Sequence, residues 1–325
     1  MSAPDPGEQA LLVVIDPVAR RVDGESVRIA RDVLRGGAAT KICLPEGPEE
    51  VERALARRGR RRPVVIGDDR ALLHVVTVLY RRRELAEVPV SVVPVGPLTA
   101  VSLARTLGVP LGPVAAARAV LDGVERPLDL LVDDSGGVVL GGLWIPGGGE
   151  GPGGGTDAPA GPAGPNGSAE AGEGGAEAVD PAGAGPGPGC ATAEGVPGGG
   201  GEGHQPWWSP AARTARSALT LLTGPAAGGR AAVPGCTRLR VEADGELITD
   251  LDRPVTRVSL TAADGGLAEL AVHTHDAGHP LRSRARRVTV SGPAFRYRAD
   301  NVLAGPVRRR TWTAAPAGWR LTLPR

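Results

Sequence analysis

The sequence predicts an α/β N-terminal domain with a parallel sheet, followed by an all-β sandwich domain, with a disordered linker between the two. Up to residue 146, strand-like and helix-like stretches alternate along the chain, which is typical of a parallel α/β sheet. From residue 237 onward, apolar residues recur at every second position instead, as in antiparallel strands. Between these patterns, residues 147–205 hold 23 glycines and eight prolines in 59 residues.

The N-terminal segment opens with a continuous apolar run at residues 11–15, which indicates a strand buried on both faces. A helix over 23–34 follows, because apolar residues there recur at helical spacing and Gly36-Gly37 provides a stop signal. The same criteria predict strands at 40–44, 63–66 and 90–93, helices at 48–58, 71–80, 100–107 and 114–121, and a final strand pair at 128–132 and 138–140.

The C-terminal segment begins with a predicted helix that Ser209 caps and Pro210 starts, and that ends near residue 222. The alternating strands after Thr237 are separated by the turn sequences Asp244-Gly245, Asp264-Gly265-Gly266 and Ser291-Gly292-Pro293. We therefore divide the chain into an α/β domain at 1–146, a linker at 147–205 and a helix plus β-sandwich domain at 206–325.

The negative charge of the linker offsets a positive charge on the rest of the chain. The linker contains no Leu, Ile, Phe, Trp, Tyr, Lys or Arg, so it cannot bury enough apolar surface to offset the entropy cost of ordering it. The linker carries a charge of −8 while the whole chain carries +1, so the remainder carries +9. Arginine clusters at 57–62, 81–83, 282–287 and 308–310 could contact an anionic lipid or membrane surface, although a solvated arginine face is the simpler interpretation. No nucleic-acid motif accompanies these clusters, so no nucleic-acid partner is expected.

Cysteine usage and the N-terminal sequence indicate the compartment. The three cysteines, Cys43, Cys190 and Cys236, are scattered and include no CxxC pair, which favours a reducing environment over a disulfide framework. The N-terminus shows no signal-peptide pattern. We expect a cytoplasmic protein, with a peripheral position at the membrane as a second expectation.

One strand-to-helix turn is the sharpest candidate site. In the stretch Val64–Leu72, a strand is followed by Gly67-Asp68-Asp69-Arg70 and then by a helix start, which brings backbone N–H groups and the positive end of a helix to one point. This arrangement suits a phosphate group. An ordinary connection between a strand and a helix has the same features and is the alternative.

Several further stretches resemble the diacylglycerol kinase and related lipid kinase superfamily. Val93–Pro97 followed by Leu103–Pro110 resembles the family's P-x-G-T-x-N-D-x-A-R-x-L-G stretch, and Val64–Leu72 then resembles its G-G-D-G-T phosphate loop. Asp16-Pro17 stands where the family has its N-P motif, Asp264–Leu270 resembles the D-G-x-L-x-V strand, and Val288–Asp300 with Gly305–Leu323 resembles the terminal strands that carry D-G-E.

This resemblance implies a nucleotide-kinase-like N-terminal domain that uses ATP and Mg²⁺ to phosphorylate a lipid hydroxyl. It assigns Asp300 as the general base. The residues that it places at the nucleotide are Asp16, Gly67, Asp69, Arg70 and Gly96.

The chain departs from the family pattern at key positions. Asp68 and Arg70 replace glycines of the phosphate loop, Pro97 replaces a threonine and Asn301-Val302 replaces the Gly-Glu of D-G-E. Two hypotheses follow: an ATP-dependent lipid kinase with impaired turnover, or a catalytically inactive relative that binds a nucleotide or an anionic lipid as a regulatory or scaffold protein. A kinase of the same superfamily with a different substrate is a third possibility.

Three histidines form a separate candidate. His273 and His275 alternate on a predicted strand and could share a metal with His279, but the surrounding turn sequence favours a solvated strand end. We therefore assign no metal site.

Overall fold

The computed structural model describes residues 10–148 and 234–325, and strands alternate with helices in it from Ala10 to Asp122. The strands of this part are β1 (Ala10–Ile15), β2 (Ala39–Cys43), β3 (Arg62–Gly67) and β4 (Pro89–Pro94). The helices are α1 (Pro17–Val22), α2 (Gly24–Gly37), α3 (Pro48–Ala56), α4 (Asp69–Arg81), α5 (Ser102–Thr106) and α6 (Pro113–Asp122).

The four strands pair in parallel in the order β2-β1-β3-β4, and both faces of this sheet are covered. Leu11 and Val13 of β1 point to one face, in a core shared with Ala30 of α2. Leu12 points to the opposite face, in a core shared with Leu72 of α4. Burial on both faces explains why these strands read as continuous apolar runs in the sequence.

The remaining described strands are mostly antiparallel. They are β5 (Val124–Asp133), β6 (Val138–Val139), β7 (Leu143–Pro146), β8 (Thr237–Arg238), β9 (Arg240–Ala243), β10 (Glu246–Thr249), β11 (Pro254–Ala263), β12 (Leu267–Thr274), β13 (Leu281–Ala285), β14 (Arg287–Ala299) and β15 (Val302–Leu323). Their inward side chains build a further hydrophobic core that includes the fully buried Trp312.

The long strand β15 connects the two parts into one sheet. Arg320 and Leu321 pair in parallel with Pro89 and Val90 of β4, while β5 and β14 pair with β15 in antiparallel fashion. The central order of the sheet is β13-β12-β11-β7-β14-β15-β4-β3-β1-β2. The predicted fold class, an α/β part followed by a β-rich part, is confirmed.

The strands before the linker also contribute to the β-rich part. Residues 124–146, which the sequence analysis assigns to the N-terminal domain, form β5, β6 and β7 and pair with β15, β11 and β14. Apart from Gly147 and Gly148, the predicted linker lies outside the described residues, and so does the predicted helix after Ser209. The division into domains therefore stays a prediction.

The two chain ends that flank the undescribed segment lie side by side. Pro146 of β7 pairs with Arg257 and Thr237 of β8 pairs with Val255, so both strands follow the same edge of β11. A Cβ atom on Gly147 would overlap the carbonyl oxygen of Gly235, which shows how closely the two backbones approach. The chain thus leaves and re-enters the described structure at one place.

No helix within residues 10–148 and 234–325 has the length and apolar character needed to cross a bilayer.

Candidate functional site

The carboxyl ends of three neighbouring parallel strands bring together Asp16, Gly67 and Gly96. The backbone N–H of Asp16 donates to the Ile66 carbonyl, and the N–H of Val95 donates to the Gly67 carbonyl, both at 2.9 Å. The loops after β1, β3 and β4 therefore meet at the edge of the sheet where open α/β folds bind their ligands.

Glycine is required at two of these positions. A Cβ atom on Gly67 would lie 2.8 Å from Cβ of Asp16 and 2.9 Å from Cβ of Ala71, so the helix start can pack against the β1 loop only without a side chain there. Gly96 has a φ of +146°, which side-chain-bearing residues rarely adopt. These steric requirements hold whether or not a ligand binds.

Asp68 is the N-cap of α4. Its Oδ1 accepts hydrogen bonds from the backbone N–H groups of Arg70 and Ala71, each at 3.0 Å. These are the second and third amides of the helix, which belong to the groups that would bind an oxyanion at a helix N-terminus. The carboxylate of the chain itself thus stands where a phosphate would have to bind.

Asp69 connects α4 to α5. Its side chain is 4% exposed and accepts hydrogen bonds from Leu103 N at 2.8 Å and from Ala104 N at 3.0 Å. The Asp69 N–H donates in turn to the Ala100 carbonyl at 2.9 Å. Burial raises the pKa of Asp69, although the two N–H donors oppose this rise. Both carboxylate oxygens of Asp69 serve in holding the loop before α5.

Asp300 occupies a similar position in the β-rich part. Its buried carboxylate accepts hydrogen bonds from the N–H groups of Leu140 and Gly141 at 2.7 Å and of Gly142 at 3.1 Å. The residue has a φ of +45°, a strained conformation for a residue with a side chain. Burial raises its pKa to about 6, against the effect of the three donors.

The Asp69 loop and the Asp300 turn meet through Ser102 and Asn301. The Asn301 side-chain amide donates to Ser102 Oγ at 2.8 Å, and Ser102 Oγ donates to Asp69 Oδ2 at 3.4 Å. The charge of Asp69 also raises the pKa of Asp300. The structure thus brings the strand ends, the start of α4 and the turn that carry the predicted residues to one region. These residues are Asp16, Gly67, Asp69, Arg70, Gly96 and Asp300. Ser102 and the role of Asn301 as its partner could not be predicted, because their contact spans 199 residues and leaves no local signal.

Asp16 carries a buried charge that is only partly compensated. Its Oδ2 accepts a hydrogen bond from Ala19 N at 3.1 Å, whereas its buried Oδ1 has no hydrogen-bond partner among the described residues. Burial raises the pKa of Asp16 to about 6, and the nearby charge of Asp68 adds to the rise. The folded chain therefore binds a proton at Asp16 more tightly than the unfolded chain does.

We predict that Asp16→Asn stabilises the protein at neutral pH. Because the pKa of Asp16 is higher in the folded than in the unfolded chain, its protonation stabilises the fold. This stabilisation is fully present below the pKa of the unfolded chain and is lost as the pH rises through the folded-state pKa of about 6. Between pH 5 and pH 7.5 the wild type should lose about 1 kcal/mol more of its unfolding free energy than the variant loses. Urea titrations at the two pH values measure this difference. Asp252→Asn, which changes an exposed aspartate, is the control, and equal losses in wild type and Asp16→Asn would contradict the prediction.

No metal centre forms in the part of the chain that the structure describes. Within residues 10–148 and 234–325, no group of three His, Cys, Asp or Glu side chains comes together in a way that could hold a metal ion. His273 is exposed at the end of β12, and His275 and His279 are exposed in the turn that follows.

Several donors and acceptors at the sheet edge are already engaged within the chain. Three carboxylates, Asp16, Asp68 and Asp69, lie at neighbouring strand-to-helix connections, and Asp68 accepts the amides that an oxyanion at the start of α4 would use. Both oxygens of Asp69 accept backbone hydrogen bonds from the start of α5, which fixes the orientation of this carboxylate. The amides at the start of α4 are thus already bound by a side chain of the same chain.

Two surface depressions lie away from these loops. One of about 540 Å³ is lined by residues 247–253, and one of about 270 Å³ is lined by Tyr80, Asp133, Thr311 and their neighbours. Neither depression is lined by any of the predicted site residues.

Comparisons with known proteins relate the chain to other proteins through its fold. No protein-family model and no curated protein sequence matches the chain. Three solved structures from Bacillus anthracis str. Sterne do match, one described as a diacylglycerol kinase and two as candidate diacylglycerol kinases. Their sequence identities to the chain are 10%, 10% and 11%, and their TM-scores are 0.53, 0.56 and 0.54. Each match covers 97% of this chain and 96–97% of the other. The resemblance to diacylglycerol kinases is therefore confirmed at the level of the fold, which this chain shares with all three structures.

Proposed function

We propose that the chain is a lipid kinase-like protein that has kept the diacylglycerol kinase fold without efficient phosphoryl transfer, and that it acts as a regulatory or scaffold protein that binds anionic lipid. The fold likeness supports the lipid kinase-like part of the proposal. The observation that carries the loss of turnover is the Asp68 side chain, which caps α4 with the two amides that a phosphate would use.

The energetics of the phosphate loop favour this proposal. Phosphoryl transfer depends almost entirely on positioning the phosphates and neutralising their charge. Asp68 brings a negative charge to the helix end that should attract the phosphates, and its hydrogen bonds at 3.0 Å would have to break before a phosphate could bind. The Asp69 and Asp300 carboxylates accept hydrogen bonds from five backbone N–H groups in all. These contacts serve to hold the α5 loop and the segment 140–142 in place.

We predict that Asp68→Gly creates affinity for Mg-ATP that the wild type lacks. Glycine releases the N–H groups of Arg70 and Ala71 and removes a like charge, at a cost of only a few tenths of a kcal/mol in helix capping. Thermal denaturation with and without Mg-ATP should show no rise in melting temperature for the wild type and a rise for Asp68→Gly.

Asp23→Gly is the matched control for this experiment, because Asp23 caps α2 through Ser26 N at 3.0 Å and lies on a different helix. This variant should lose the same capping energy and gain no response to Mg-ATP. A rise in wild-type melting temperature with Mg-ATP, together with labelled phosphate in extracted lipid, would overturn the proposed loss of turnover.

ATP-dependent phosphorylation of a lipid hydroxyl is the second candidate function. It is favoured by the contact between Asn301 and Ser102, which holds the turn of Asp300 beside the loop of Asp69. In this function Asp300 would accept the proton of the lipid hydroxyl. Asp300→Asn should then abolish lipid phosphorylation in a folded protein, and an unchanged rate would remove this role from Asp300.

A further inference from the structure

One outward face of the β-rich part carries a row of residues that crosses six strands. The pairing registers align these residues directly opposite one another from β13 to β15. The row consists of Arg282, Ala271, Ser259, Trp144, Arg298 and Leu303. Their strand neighbours, such as Ile145, Leu260 and Tyr297, are buried in the core, so the row lies on the outward side of the sheet. Within the row, Arg282, Arg298 and Leu303 are exposed, Ser259 and Trp144 are half-buried, and Ala271 is covered.

Trp144 lies at the centre of this row between two arginines. The Arg257 guanidinium carbon is 4.9 Å from the centre of the Trp144 ring, and that of Arg298 is 5.8 Å away on a different strand. Neither arginine forms an ion pair with a residue that the structure describes. An amphipathic ring beside two cations is a combination that suits the boundary between water and lipid.

The charge of this face is strongly one-sided. The outward positions of β7 and β11 to β14 around the row hold five arginines, namely Arg257, Arg282, Arg284, Arg296 and Arg298. They hold a single acid, Glu269, which pairs in register with Arg284. Leu303, which is 51% exposed, adds an aliphatic side chain at the end of the row. The same outward face of the sheet therefore carries both positive charges and apolar side chains.

We propose that this face, centred on Trp144, docks on the surface of an anionic phospholipid bilayer. The inference rests on the lipid binding in the proposed function and assigns that binding to the outward face around Trp144. Trp144 and Leu303 would enter the headgroup region while the arginines contact lipid phosphates. A nucleic acid fits less well, because the row offers one aromatic ring where a single strand would stack on several.

The position of the face relative to the candidate site supports the assignment. Trp144 follows Gly142 by two residues and Arg298 precedes Asp300 by two, and β7 and β14 are paired at this point. Gly142 N donates to Asp300 Oδ1 at 3.1 Å. A bilayer bound to the row would therefore lie beside the Asp300 turn, so lipid headgroups would be held next to the candidate site.

Vesicle sedimentation of the full chain tests the assignment. We expect the wild type to sediment with vesicles made of equal parts of phosphatidylglycerol and phosphatidylcholine. With vesicles of pure phosphatidylcholine, the protein should remain in the supernatant. Arg257→Gln and Arg298→Gln should each reduce partitioning about fivefold, and Trp144→Ser should reduce it at least as much. Arg118→Gln, an exposed arginine of α6, is the matched control and should bind like the wild type. Thermal melts establish that each variant is folded.

The possible outcomes separate this inference from the proposed function. Anionic-vesicle binding that the Trp144, Arg257 and Arg298 variants retain in full would overturn the docking face while leaving lipid binding in place. Absence of wild-type binding to anionic vesicles would overturn both. Tighter binding of the wild type to single-stranded DNA than to vesicles, weakened by the same variants, would overturn the lipid assignment of the face. A positive Mg-ATP response in the wild type would affect only the proposed loss of turnover.

Discussion

Asp300→Ala is expected to destabilise the protein by about 3–5 kcal/mol, because it takes the acceptor from three backbone N–H groups and each unsatisfied donor costs about 1–3 kcal/mol when buried. The substitution would leave the N–H groups of buried Leu140 and of partly buried Gly141 and Gly142 without their acceptor. For a folded unit of this size, the melting temperature should fall by about 10 °C. This loss is the largest that we expect from a single substitution in the candidate site.

Urea denaturation of Asp300→Ala measures this effect, and Asp252→Ala is the control. Asp252 is exposed, and its side chain accepts no hydrogen bond from a described residue, so its removal should change stability by less than about 0.5 kcal/mol. A loss below about 1 kcal/mol for Asp300→Ala would show that its three hydrogen bonds are not needed for the fold.

Asp69→Ala is expected to cost about 2–4 kcal/mol, because two amides at the start of α5 lose their acceptor. Leu103 N and Ala104 N donate to Asp69 across a sequence separation of more than 30 residues, so no local contact can replace it. The substitution should also lower the pKa of Asp300, since it removes a negative charge that now raises this pKa.

Two measurements separate these effects of Asp69→Ala. Urea denaturation gives the loss of stability, for which Asp23→Ala is the control, because Asp23 caps a helix at an exposed position and should cost about 1 kcal/mol. A carboxyl-carbon NMR titration follows Asp300, and an unchanged or increased pKa in Asp69→Ala would contradict the electrostatic effect of Asp69 on Asp300.

The sequence predicted most of the α/β part because its elements are defined by local patterns. The apolar run at 11–15 became β1, and the helical spacing at 114–121 became α6 with only one residue added at each end. The predicted helix over 100–107 is shorter, because residues before Ser102 form the loop whose Ala100 carbonyl accepts from Asp69 N. Pairing of β15 with β4 could not be read from the sequence, since no local pattern specifies a partner more than 200 residues away.

The candidate site was predicted less completely, for two different reasons. The capping role of Asp68 had a visible signal, an aspartate directly before a helix, which the comparison with the glycine of the phosphate loop left unused. The contacts of Ser102 with Asn301 and of Asp300 with Leu140 had no signal, because they join segments that meet only in the folded chain. Trp144 alternates with buried Leu143 and Ile145, so its outward position could have been predicted.

The close approach of Gly147 to Gly235 has a consequence for how this chain can change in length. When the two ends of a segment are held at one place, the entropy of closing it grows only with the logarithm of its length, so a doubling costs about 0.6 kcal/mol. Because β7 and β8 are both held by β11, we expect the pairing of these strands to tolerate a change in the number of residues between Gly148 and Pro234. The same place is suited to accept an inserted reporter domain, whose ends need only be a short distance apart.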